Sequence, residues 1–226
     1  DATYPSGIRP TVCQIRSAGV SLPQSLPVDA FIVMRKRCPK CSYPVQTCLC
    51  HAVQSVANHT EVIILQHPKE SVHAKNTVRL LSLSLANITT WVGKTAADFI
   101  ELQHYLAITP AKTAVIYPSE YSVELPRITN NHTYTIERVI FIDASWKQAF
   151  GIWQNNLWLN EYPFYKLPPS HTGQYTIRRS HLDYSLSTLE AVALTLEYTE
   201  QLDTTPLLTL LNSFTKQWQG FVPPTD

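Results

Sequence analysis

From residue 61 onward, hydrophobic and polar positions fall into a repeating order. Residues 62–66 (VIILQ), 88–92 (ITTWV), 114–117 (AVIY) and 138–142 (RVIFI) form four short runs, mostly β-branched or aromatic. Runs that are apolar at successive positions suit strands buried on both faces of a parallel sheet. The stretches between and after them are apolar at three- and four-residue spacing. Val78, Leu81 and Leu85 share one face of 75–85, and 96–106 repeats the pattern more weakly. Trp146, Phe150, Trp153 and Leu157 follow Asp143, while Leu189, Val192, Ala193 and Leu196 lie within 187–202, and a last stretch covers 206–218. This spacing predicts amphipathic helices. Strand and helix in alternation predict an α/β domain, a mostly parallel sheet with flanking helices.

Ahead of this domain, residues 1–34 are Pro- and Ser-rich and weakly patterned, which predicts an irregular N-terminal arm. Cys13 lies in the arm and reads as a bystander thiol. The sole methionine, Met34, suggests that residues 1–33 are a leader, an appended remnant or an upstream extension. Residues 35–55 form a cysteine-rich knuckle, and 56–226 make the main domain.

Composition narrows the function. A chain of 226 residues with 44% apolar content can bury one substantial core, which excludes wholesale disorder. A net charge of +1 excludes a strongly basic nucleic-acid coat but leaves room for local basic patches. There are 6 glycines against 16 prolines, and the glycines stand far apart. Gly-rich dinucleotide and nucleotide-triphosphate cradles are therefore excluded. No apolar run approaches the ~18–20 residues of a membrane span, and the start lacks a secretory pattern. A soluble cytoplasmic protein is expected.

Cys38-x-x-Cys41 and Cys48-x-Cys50 put four thiols within thirteen residues, joined by a turn containing Pro44. Two close pairs of soft ligands can enclose one tetrahedral zinc, and outside an oxidising compartment such spacing favours metal over disulfides. His51 is an alternative to Cys50 as fourth ligand. Arg35, Lys36, Arg37 and Lys40 flank the cluster and are expected to lower the thiol pKa values. A closed four-cysteine site has no open position, so its role is structural. A rubredoxin-like iron site would carry a second C-x-x-C, which is missing.

The other polar signals follow the strands: Gln66-His67-Pro68-Lys69-Glu70, Tyr117-Pro118-Ser119-Glu120 and Asp143-Ala144-Ser145-Trp146. In open α/β sheets ligands bind beyond the carboxyl ends of the strands, so these loops point at one crevice. Simpler readings stand beside this one. Ser145 with Gln148, and Ser187 with Glu190, match capping boxes that start helices. Asp143 could be a turn residue, Trp146 and Trp153 core residues, and His67 a loop histidine.

Taken together the motifs carry a resemblance. The two cysteine pairs, QHPKE with Asn76-Thr77, YPS, DASW, Tyr175-Thr176-Ile177-Arg178 and Ser187-Thr188-Leu189-Glu190-Ala191 occur in one order over residues 35–218. This series resembles the DTW-domain family. The family's D-x-T-W appears as Asp143-Ala144-Ser145-Trp146, where serine keeps the hydroxyl and the capping ability, and Ile177 replaces a leucine. The resemblance implies a tRNA-uridine aminocarboxypropyltransferase with a fold related to the SPOUT α/β knot. Such an enzyme moves the 3-amino-3-carboxypropyl group of S-adenosylmethionine to N3 of a tRNA uridine and releases methylthioadenosine.

Roles follow from that implication. Asp143, then Glu190, are the candidate catalytic bases for the uridine imide. Leu65, Gln66, Tyr117, Pro118, Ser119, Trp146, Arg178, Ser187 and Thr188 are the expected cofactor-binding residues. Arg178 suits the methionine carboxylate or an RNA phosphate. Arg35, Lys36, Arg37, Lys40, Lys69, Lys75, Arg79, Tyr175 and Arg179 are the expected RNA contacts, and Cys38, Cys41, Cys48 and Cys50 the Zn2+ ligands. Two rivals stand beside the transferase, a SPOUT-type RNA methyltransferase and a non-enzymatic zinc-knuckle RNA-binding protein. Monomer and homodimer are not distinguished.

Overall fold

The structure is a computed structural model that describes residues 36–127, 136–168 and 186–219. Its centre is a sheet of six parallel strands: β1 (Glu61–Gln66), β2 (Ile88–Val92), β3 (Thr113–Ile116), β4 (Val123–Glu124), β5 (Arg138–Asp143) and β6 (Phe164–Lys166). The order across the sheet is β2-β1-β5-β3-β6-β4. All four runs read as strands from the sequence are strands. The two- and three-residue β4 and β6 carry too little pattern to be read.

Side-chain alternation along the strands builds two cores. Val62 and Ile64 of β1, Ala114 and Ile116 of β3, and Val139 and Phe141 of β5 face one side. There they meet three helices, α2 (Val78–Ser84), α5 (Thr188–Glu200) and α6 (Thr205–Gln219), through Leu81, Val192, Leu196, Leu210 and Phe214. Ile63, Leu65, Val115 and Ile140 face the other side. They pack on a 3-10 turn (Ala96–Phe99), α3 (Ile100–Ile108) and α4 (Trp146–Gln154) through Phe99, Leu102, Ala149 and Ile152. Strands covered on both faces are what the continuous apolar runs predict.

Local chemistry sets the helix ends. The helix expected from residue 75 starts at Val78, because the Asn76 Oδ1 accepts from Val78 N at 2.8 Å. The helix expected to run past Trp153 stops at Gln154, where Asn156 turns its amide back onto Ile152 O at 2.6 Å. Both capping boxes are present, at Ser145–Gln148 and Ser187–Glu190. QHPKE contains a single turn of helix, α1 (Pro68–Ser71), capped by His67.

The connections place the crevice. From β1 the chain moves to β2 on one side, and from β5 it moves through α4 to β6 on the other. The carboxyl ends of adjacent β1 and β5 therefore frame the point where strand order reverses, the usual ligand position in such sheets. The knot expected from the resemblance is a property of a path that includes residues 128–135 and 169–185, which lie outside the described residues. No helix among the described residues is long and apolar enough to cross a membrane.

Candidate functional site

At the switch point, Gln66 and Asp143 are register partners at the ends of β1 and β5. Gln66 Nε2 donates to Asp143 Oδ2 at 2.8 Å, and the Thr188 hydroxyl donates to Oδ1. His67 N donates to the Asp143 carbonyl at 3.0 Å. Gln66, His67 and Asp143 are all buried. One carboxylate thus ties β1, β5 and the first turn of α5 together, and buried bonds to a charged group are the strong ones. Glu190, by contrast, serves the cap of α5, accepting from Ser187 N at 2.8 Å.

The rim is built by neighbouring loops. His67 Nδ1 accepts from Lys69 N at 3.1 Å. Burial, then the charges of Lys94 and Lys69, push the His67 pKa below its ordinary 6.5, so the imidazole is neutral at pH 7. Gly93 N donates to Gln66 O at 3.0 Å, and any Cβ at Gly93 would lie 2.5 Å from that of Asp98. Only glycine lets this turn fold against its own cap. Gly93 and Lys94 carry no motif of their own, and the glycine directly after the 88–92 run is the one local signal of this turn.

Beyond β3, Tyr117 is buried against Trp153, with ring centroids 5.5 Å apart. Ser119 Oγ is buried and has no hydrogen-bond partner among the described residues. Leaving such a hydroxyl unpaired costs about 1–3 kcal/mol, so Ser119 marks a place where a polar ligand group fits. Leu65 lies in the core, while Pro118 and Trp146 are exposed at the rim. The structure thus brings Gln66, Asp143 and Thr188 into direct contact, with Ser187 and Glu190 in the adjoining cap. Arg35, Tyr175, Arg178 and Arg179 lie outside the described residues.

The knuckle is a second site. The Cys38 and Cys50 sulfurs are 3.6 Å apart and those of Cys41 and Cys48 3.7 Å apart, with all four within 4.8 Å of one another. A tetrahedron with metal–sulfur bonds of about 2.3 Å has edges of about 3.8 Å, so the donor set fits one thiophilic ion. These separations are far beyond the ~2.05 Å of a disulfide. Cys50, not the exposed His51, completes the set.

The expected thiol activation has a different source from the flanking cations. Hydrogen bonds from the Cys41 and Lys40 amides bring Cys38 down to about 6, whereas its sulfur contact to Cys38, then burial, takes Cys50 up to about 12. Ser42 closes the turn at φ 58°, in the left-handed region. Tyr43 and Leu49 seat the knuckle in the core, with Tyr43 5.7 Å from the Phe214 ring. Arg79 lies 5.1 Å over the Tyr43 ring, and Arg37 Nη1 donates to Ser42 O at 3.0 Å, so both hold the knuckle as well as adding charge. Lys36, Lys40 and Lys69 are exposed, and Lys75 is half-buried.

These features define a doubly wound α/β protein with a polar cluster at its strand ends and a four-cysteine knuckle. Comparison with known proteins narrows this. A family model described as the DTW domain matches residues 35–219. A Mus musculus protein named tRNA-uridine aminocarboxypropyltransferase 2 is 28% identical over 171 residues, covering 74% of this chain and 57% of its own length. A Drosophila melanogaster protein of the same name is 31% identical, covering 70% of this chain and 64% of its own length. An Arabidopsis thaliana tRNA-uridine aminocarboxypropyltransferase A is 32% identical over 129 residues, covering 51% of this chain and 49% of its own. The chain thus spans about half to two thirds of the length of these curated relatives. No solved structure matches it. With the model covering most of the chain, the protein belongs to the DTW-domain family.

Proposed function

We propose that this protein is a tRNA-uridine aminocarboxypropyltransferase that uses S-adenosylmethionine to modify N3 of a uridine and releases methylthioadenosine. The observation that carries the reading is the DTW-domain match over residues 35–219, together with the similarity to relatives of that name. The Gln66–Asp143–Thr188 cluster at the switch point, with Gln66 and Asp143 buried, supports it, because it offers an oriented carboxylate where ligands of such sheets bind.

When bound, S-adenosylmethionine supplies a sulfonium whose γ-carbon is electrophilic. Asp143 takes the proton from uridine N3, which makes the imide nitrogen a nucleophile. Bound S-adenosylmethionine would supply the carbon that N3 joins, and methylthioadenosine would be the leaving group. The protein decides between this transfer and methylation by orientation alone, so its contribution is positioning. Gln66 and Thr188 hold the Asp143 carboxylate, and Glu190 sets the start of α5 that carries Thr188. Leu65, Tyr117, Pro118, Ser119, Trp146 and Ser187 shape the nucleoside pocket, with Ser119 Oγ offered to the ligand.

Arg178 is assigned to the methionine carboxylate or a tRNA phosphate. Arg35, Lys36, Arg37, Lys40, Lys69, Lys75, Arg79, Tyr175 and Arg179 are assigned to tRNA, and a zinc ion held by the four cysteines keeps the knuckle folded. The test is nucleoside analysis of an unmodified tRNA transcript after incubation with the protein and S-adenosylmethionine. Aminocarboxypropyl-uridine is expected. Methyluridine, or unchanged tRNA with an intact protein, contradicts the proposal.

A further inference from the structure

From Trp146, assigned above to the nucleoside pocket, an apolar ridge runs along α4 and into the turn that follows it, and beyond Trp146 the transfer chemistry does not use it. Trp146 and Phe150, one turn apart on α4, are 49% and 53% exposed, and Leu157, in the 3-10 turn Leu157–Glu161 that follows, is 64% exposed. Large apolar side chains are normally buried, and several aligned on one face mark an interaction surface. The ridge is built rather than loose. Phe150 stands edge-on to Trp153 with centroids 6.0 Å apart, and Trp153 rests on Tyr117 and Phe164, each 5.5 Å away. Through Trp153 the surface ring is linked to Tyr117, the residue after β3. Trp146 sits three residues past Asp143, where the ridge meets the crevice.

Charge identifies the occupant. Lys147 projects from the same helix and is exposed. The Lys94 turn is tied to the far end of α4, where Asn156 Nδ2 donates to Lys94 O at 3.0 Å. The charges of Lys94 and Lys69 both reach His67 beside the crevice. Aromatic faces interleaved with exposed lysines match the chemistry of unpaired nucleic-acid bases stacked along a helix while their phosphates meet cations. The core of a protein–protein interface is instead depleted in lysine.

We propose that the α4 ridge, centred on Phe150 with Trp153 beneath it, is a stacking platform for unpaired tRNA bases flanking the target uridine. The proposal rests on the tRNA reading above and names how that substrate is presented. A uridine that leaves its stack to reach the crevice exposes its neighbours, and the ridge receives them.

The experiment measures binding of a tRNA transcript and of single-stranded oligouridylate to the wild type, Phe150→Ala, Phe150→Tyr and Leu157→Ser, by fluorescence anisotropy. Phe150→Ala is expected to weaken both complexes about tenfold. Phe150→Tyr keeps the aromatic face and binds like the wild type, and affinity for S-adenosylmethionine is unchanged in each variant. Wild-type RNA affinity in Phe150→Ala overturns the proposal. So does a wild type that sediments as a dimer while Phe150→Ala sediments as a monomer, since a second copy then covers the ridge. The two readings fail separately. A protein that loses RNA binding on Phe150→Ala but never forms aminocarboxypropyl-uridine keeps the ridge and loses the transferase. One that forms it with a KM for tRNA unmoved by Phe150→Ala keeps the transferase and loses the ridge.

Discussion

Gln66 and Asp143 face each other as register partners across β1 and β5, and the glutamine side chain donates to the aspartate carboxylate at 2.8 Å. With Thr188 on the other oxygen, the carboxylate has a fixed direction before any ligand arrives. Fixed direction is what a group needs if it is to meet a reacting proton without reorganising.

Asp143→Asn keeps the shape but presents an amide to Gln66 and Thr188. Turnover is expected to fall about 10²–10⁴-fold, the usual contribution of a positioned base. Stability falls by no more than about 1–3 kcal/mol, because whichever neighbour meets the new NH2 can turn an oxygen toward it while the other still donates to the amide oxygen. Single-turnover kinetics with thermal unfolding checks both, and normal turnover in the variant removes Asp143 from the base role.

His67 predicts a pH dependence. Its folded pKa is pushed below 6.5, so the unfolded chain binds the proton more readily. The stability held by neutral His67 is fully present above pH 6.5 and is lost as pH falls from 6.5 toward the folded value. His67→Gln removes that part of the slope. With His67 kept, Lys94→Met is expected to raise the His67 pKa measured by NMR, since one of the depressing charges is gone.

The knuckle should behave as a metal-dependent part of the core. Chelation is expected to release about one zinc per chain and lower the unfolding midpoint, because Tyr43 and Leu49 lose their seat against Phe214. Cys48→Ser reproduces the loss without chelator. Ser42→Gly acts the other way, relieving the left-handed backbone at φ 58° for a net gain of about 0.5–1 kcal/mol in denaturant titration.

At the opposite end of the sheet, buried Arg138 pairs with Glu61 at 2.6 Å and donates to Thr109 O at 2.9 Å, while Tyr105 OH donates to Glu61 at 2.8 Å. Arg138→Met leaves the half-buried Glu61 carboxylate with Tyr105 but without its cation, and should cost about 1–3 kcal/mol in urea unfolding. Adding Glu61→Gln should restore a large part of that loss, and a double variant as unstable as the single sinks the account.

What the sequence revealed follows from where local patterns decide the structure. The runs at 62–66 and 138–142 became strands because burial on both faces leaves the same signature wherever a strand sits in the sheet. Ser187 and Glu190 announced their helix because a capping box is a local device. The strand order was hidden, since it depends on contacts such as Gln66 with Asp143 that lie 77 residues apart. Gln66 and Thr188 were named as candidate site residues, but their convergence on one carboxylate is set by topology. The exposure of Phe150 was hidden as well: a helical spacing of Trp146, Phe150 and Leu157 reads as core until the sheet shows which face is covered.

The central claim is tested most directly by following the label from S-adenosylmethionine into tRNA. Two preparations are compared, one carrying radiolabel in the methionine carboxyl group and one in the S-methyl group. The transferase account predicts carboxyl label in the tRNA and methyl label retained in methylthioadenosine. Methyl label in the tRNA, with S-adenosylhomocysteine released, contradicts it.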